Sequence, residues 1–73
     1  MQYEYMREFL ELGSRYKGLR EKKGTVQEDV IEYGFSVRHY QRLEAGRPHS
    51  LTTLFRLAEI FGVDAGELIR KVG

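Results

Sequence analysis

At 73 residues, 41% hydrophobic and 32% charged, the chain has room for one domain around one core. No stretch approaches the ~20 apolar residues of a membrane-spanning helix and no apolar leader opens it, so a soluble, cytoplasmic protein is expected. The absence of cysteine excludes disulfides, thiolate catalysis and cysteine-bound zinc, and the net charge of +1 favours no particular class of partner by itself.

The periodicity predicts an all-α fold of five helices joined by short turns. In the first, Tyr5, Phe9, Leu12, Tyr16 and Leu19 recur at spacings of 4, 3, 4 and 3, which places them on one helical face. Gly13 and Gly18 interrupt this helix at a cost of about 1 kcal/mol each relative to alanine, and serve either close packing or a bend. Gly24 ends it, just after Lys22 and Lys23 in the last turn. Thr25 to Glu28 reads as a capping box opening a short second helix, with Val26, Val30 and Tyr33 on its inner face.

Gly34 then offers the positive φ of a tight turn, Phe35 is an apolar turn residue, and Ser36 caps a third helix. That helix runs from about Val37 to Ala45 with Tyr40 and Leu43 inward, and Gly46, Arg47 and Pro48 end it. Ser50 caps a fourth helix with an apolar stripe of Leu51, Leu54, Leu57, Ala58 and Phe61, stopped by Gly62. Asp64 to Glu67 repeats the capping-box pattern before a fifth helix carrying Leu68 and Ile69.

Charge is unevenly placed. Five basic residues and one acid, Glu21, lie between Arg15 and Lys23, and four arginines face Glu44 alone between Arg38 and Arg56. A near-neutral chain can therefore present one basic face, although Arg15, Lys17 and Arg56 are equally compatible with ordinary solvated surface.

The third helix carries the functional pattern. With Phe35, Tyr40 and Leu43 taken by the core, its outer face presents Val37, Arg38, His39, Gln41 and Arg42, mostly near its N-terminus. In a helix-turn-helix, that end meets base edges in the major groove of double-stranded DNA. Arginine can donate twice to guanine, glutamine pairs with adenine and valine packs on a thymine methyl, so Val37, Arg38, His39 and Gln41 are the candidate base contacts. Free backbone N–H groups at the capped starts near Thr25 and Ser36 suit phosphate. Arg47, at the helix end, is placed to reach another.

In this order the residues resemble the lambda-repressor-like, XRE-type helix-turn-helix proteins of bacteria and phages. The carriers are Leu19-Arg20-Glu21-Lys22-Lys23-Gly24, Gln27-Glu28-Asp29, Gly34-Phe35-Ser36, Arg42-Leu43-Glu44-Ala45-Gly46, Ser50-Leu51, Leu54 through Val63, and Glu67-Leu68. The resemblance implies a compact five-helix domain over 12–73, with the helix-turn-helix at about 25–46, that regulates transcription, most simply as a repressor. It implies a backbone or base contact for Gln27, and for Arg42 either a phosphate contact or a structural pairing with Glu44. The segment from Gln27 to Gly34 and the turn from Gly46 to Ser50 are each one residue shorter than the family's spacing.

Residues 1–11 lie outside the resemblance as an N-terminal extension of the first helix. Surplus apolar residues at Met6 and Leu10, and at Phe55 and Ile60 off the main face of the fourth helix, are candidates for a homodimer interface. Such dimers read half-sites about 34–36 Å apart. The alternative is a protein-interaction module, such as the antitoxin half of a toxin–antitoxin pair, with DNA binding secondary. His39 and His49 have no carboxylate spaced to join them, so neither an enzyme nor a metal site is expected, and no cofactor is implied.

Overall fold

Helix α1 (Met6–Lys23) lays one face on the core: Leu12 and Tyr16 are buried, with Phe9 and Leu19 packed beside them. The computed structural model describes residues 5–70, so the first four residues of the expected extension and the last three of the domain lie outside it. Among the described residues every regular element is helical, as the periodicity predicts. Tyr5 is mostly exposed rather than part of the stripe, because it precedes the first turn of α1 and lies past the edge of the core.

The second element differs in kind. It is a 3-10 helix, η1 (Gln27–Tyr33), not an α-helix. A 3-10 helix rises about 2.0 Å per residue against 1.5 Å, so seven residues span about 14 Å instead of about 10.5 Å. The expected capping box also shifts by one. Val26, not Thr25, is the cap position, and its N–H donates to the Asp29 carboxylate at 2.8 Å. The Thr25 hydroxyl donates backwards to the Arg20 carbonyl instead.

Only Val30 of η1 is buried; Val26 and Tyr33 face outward, contrary to expectation. The tighter winding turns them off the core face, and the Lys23 ammonium lies over the Tyr33 ring at 5.7 Å. Gly34, at φ 86°, makes the turn into the next helix, a conformation that an L side chain rarely adopts.

Helix α2 (Val37–Glu44) begins at Ser36, whose hydroxyl accepts from the His39 N–H at 3.0 Å. Phe35, Tyr40 and Leu43 are buried as expected. Helix α3 (Leu51–Phe61) is capped in the same way by Ser50, and buries Leu54, Leu57 and Ala58. Leu51 does not join that stripe. It is 63% exposed, since the first turn of α3 projects beyond the packed layer. Helix α4 (Ala65–Arg70) buries Leu68 and leaves Ile69 outside. Its start is an Asx turn, with Asp64 Oδ1 accepting from the Gly66 N–H, while Glu67 turns forward to Arg70 rather than completing a capping box.

Where α1 crosses α2 the two backbones nearly touch. A methyl group at Gly13 would lie 2.5 Å from the Glu44 carbonyl oxygen and 2.7 Å from that of Leu43. Close packing is therefore the reason for glycine there. This contact fixes the pose of α2 on the body of the protein.

Candidate functional site

The outer face of α2 is assembled from three local causes and one distant one. The Ser36 cap fixes where the helix starts, Tyr40 and Leu43 anchor its inner side, Gly34 aims it, and Gly13 sets its distance from α1. The side chains left over are those singled out from sequence. Arg38, His39, Gln41 and Arg42 are exposed, and Val37 is half-buried. The Ser36 hydroxyl is already engaged as the cap, so its contribution to a bound anion would come from the free backbone N–H groups of the first turn. The His39 ring stacks obliquely on Phe35, with centroids 5.6 Å apart, which limits its swing.

At the other end of α2 the chain turns back so that Arg42 and Arg47 line one open cleft with His39, Leu43 and Pro48. The cleft measures about 470 Å³, and its charged lining is entirely basic. Two residues expected to meet phosphate are thus brought together by the turn at Gly46, where the Arg47 N–H donates to the Arg42 carbonyl at 3.0 Å. The turn itself is pinned by His49. Its Nδ1–H donates to the Arg47 carbonyl at 3.0 Å, since a carbonyl can only accept, which leaves Nε2 to accept from the Tyr16 hydroxyl at 2.7 Å. The Tyr16 ring is fully buried, and desolvation pushes its phenol up to about 12, so it remains a donor at neutral pH. Phe9 packs edge-on against the same imidazole. His49 is therefore an internal fastening.

Beneath the outer face lies an ion pair. Arg20 Nε donates to Glu44 Oε2 at 2.6 Å and its Nη2 to Oε1 at 3.3 Å, with the two side chains only 12% and 6% exposed. The partner of Glu44 is thus Arg20 of α1 rather than Arg42, which is two residues away on the wrong side of α2. Burial alone would raise the Glu44 carboxyl. Hydrogen bonds from Arg20, Tyr40 and Gln27 overcome it and hold the group below its ordinary value. The bond to Glu44 in turn raises Arg20.

Gln27 leads from this pair to the surface. Its Nε2 donates to Glu44 Oε1 at 3.0 Å, and its Oε1 accepts from Gln41 Nε2 at 3.0 Å. The structure therefore joins two residues, Gln27 and Gln41, that sequence reasoning treated as separate contacts.

Sequence reasoning missed Arg20 and His49. A signal existed for the first, because Arg20 stands one turn after Tyr16 on the core-facing side of α1, where an unpaired arginine would be costly. Arg56 was equally legible as surface, yet it donates to the Tyr33 carbonyl at 2.9 Å and lies over the Phe35 ring at 4.5 Å. Of the candidate dimer residues, Met6, Leu10 and Phe55 are each at least half exposed, whereas Ile60 packs against the core. No helix among the described residues is long and apolar enough to cross a membrane.

The chain is 40% identical over 60 residues to the HTH-type transcriptional regulator y4dJ of Sinorhizobium fredii. That alignment covers 80% of this chain and 78% of that protein. No family model matches the chain, and no solved structure matches it.

Proposed function

Because the chain belongs to the HTH-type transcriptional regulators, we propose that it binds operator DNA sequence-specifically, with α2 as the recognition helix in the major groove. The observation that carries this reading is the outer face of α2. Arg38, His39, Gln41 and Arg42 stand exposed on a helix whose start, inner side and spacing from α1 are all fixed by the fold. A rigid helix with a polar, basic outer face matches the geometry by which helix-turn-helix proteins read bases.

In this reading Val37, Arg38, His39 and Gln41 meet base edges. Arg42 and Arg47 hold phosphate from their shared cleft, and the N–H groups behind Ser36 and the start of η1 at Gln27 face the backbone. The protein acts as a homodimer of the XRE type, with Met6, Leu10 and Phe55 available to the interface, and represses by occupying promoter DNA.

Selection of bound sequences from a random duplex pool at ~150 mM salt tests the reading, since nonspecific phosphate binding is weakened there. Enrichment of a two-fold motif is the expected outcome; an unenriched pool would overturn specific readout. Arg38→Ala should relax one position of that motif by about 1–3 kcal/mol, whereas Arg47→Ala should weaken all sequences alike. Sedimentation with DNA present checks the dimer, and a monomer at micromolar concentration would remove it.

A further inference from the structure

We propose that His49, held by Phe9 and Tyr16 of α1, sets the Arg47 guanidinium for a DNA phosphate, so that the first turns of α1 serve DNA binding. The inference rests on the reading of Arg47 as a phosphate contact. Arg47 stands exposed in the turn between α2 and α3, on a long side chain rich in rotamers. Such a side chain grips an anion best when the backbone beneath it is ordered before binding.

The local bond from the Arg47 N–H to the Arg42 carbonyl, at 3.0 Å, fixes only the near side of the turn. It leaves free the rotation into the next peptide. Pro48 turns that rotation away from helical values. The His49 Nδ1–H, bonded to the Arg47 carbonyl at 3.0 Å, then fixes the peptide in one orientation. His49 is thus a positioning residue that acts through Arg47.

The imidazole can do this only while it is itself held. The Tyr16 hydroxyl donates to Nε2 at 2.7 Å, and the Phe9 and Tyr16 ring centroids lie 5.3 Å and 5.5 Å from that of His49. Tyr16 is fully buried, so the ring is tied to the core. One residue beyond Phe9, Leu10 lies against Gly46. A methyl built on Gly46 would come within 2.7 Å of Leu10 Cδ2 and 2.8 Å of its Cα. Helix α1 therefore braces the turn on both sides of Arg47, at Gly46 and at His49. Two departures from the lambda-repressor-like pattern meet here: the turn that is one residue short, and the extension that carries Phe9 and Leu10.

Salt counts such contacts. Each phosphate neutralised adds about 0.9 to the steepness with which log affinity for duplex DNA falls against log salt. His49→Phe keeps a ring beside Phe9 and removes both hydrogen bonds, whereas Tyr16→Phe keeps the core ring and removes only the bond that holds the imidazole. Each is made alone and with Arg47→Ala, and binding to a duplex carrying the selected motif is followed from ~50 to ~200 mM salt. Arg47→Ala should cost about tenfold in affinity and make the slope shallower by about 1. Either ring variant should cost about threefold and make the slope shallower when Arg47 is present, and cost nothing more when it is absent. A residue that only supports the fold would cost the same in both backgrounds and leave the slope alone, and that result overturns the proposal.

The free protein supplies the second readout. The ring-nitrogen resonances of His49 should place its proton on Nδ1, the reverse of the tautomer that free histidine favours, and Tyr16→Phe should release it. A proton on Nε2 in the wild type overturns the clamp itself. If the Nδ1–H tautomer is present but Arg47→Ala binds with the wild-type salt slope, the reading of Arg47 as a phosphate contact fails, and the proposal with it.

Discussion

Two glycines on one helix have opposite surroundings. Gly13 faces α2 so closely that an added methyl would strike backbone carbonyl oxygens at 2.5 Å and 2.7 Å. Gly18 stands five residues on, turned about 140° around the helix, and a methyl there would meet nothing within 4 Å. It borders an open groove of about 330 Å³ that also touches Leu19, Val63 and Leu68, on the side of α1 that faces α4. The first side of α1 is a seam locked by backbone contact and by the Arg20–Glu44 pair, and the second is a loose edge. The seam is also what poses α2, the proposed recognition helix, so strain introduced there should reach DNA binding, while changes at the edge should affect stability alone.

The largest break in the seam is expected from Arg20→Met, which leaves the nearly buried Glu44 carboxylate without its cation. A loss of about 3 kcal/mol in unfolding free energy should appear in urea titration. A loss under about 1 kcal/mol would mean that the pair behaves like an exposed one.

Gly13→Ala should follow at about 2 kcal/mol, because α2 must move outward to admit the methyl. DNA affinity should fall with it. If affinity were untouched, the seam would not be what poses α2.

Acid loosens the same seam without mutation. The folded Glu44 carboxyl titrates below its ordinary value, so its contribution is present above the unfolded pKa of about 4.5 and disappears as pH falls through the lower folded value. The urea midpoint should therefore decline as pH drops from 5 towards 3, and decline less steeply in Arg20→Met.

Smallest, and opposite in sign, is Gly18→Ala. With no neighbour to strike, the methyl should add up to about 1 kcal/mol through helix propensity and leave DNA affinity unchanged. Destabilisation by this substitution would show that the groove is closed in solution.

The contrast also marks how far local reading goes. Both glycines carry the same propensity cost in sequence, and nothing in the residues near them tells close packing from open groove. The outward set on α2 was legible, because Ser36, Tyr40 and Leu43 fix a helix phase from spacing alone. Leu51 was not, since the spacing that joins it to Leu54 cannot say where the packed layer stops. In the candidate site, Arg42 and Arg47 meet through the local turn at Gly46, where the Arg47 N–H donates to the Arg42 carbonyl at 3.0 Å, whereas the fastening of His49 to Tyr16 joins residues 33 apart and was not legible.

The sequence by itself determined the five helices, the caps at Ser36 and Ser50, the turn at Gly34 and most of the core, because each follows from interactions within a few residues along the chain. Tertiary structure alone decided the 3-10 winding of η1, the close approach at Gly13, the pairing of Arg20 with Glu44 and the alignment of Gln27 with Gln41. The three contacts join groups at least 14 residues apart. Such features exist only once helix faces are pressed together, and no local rule encodes which faces will meet.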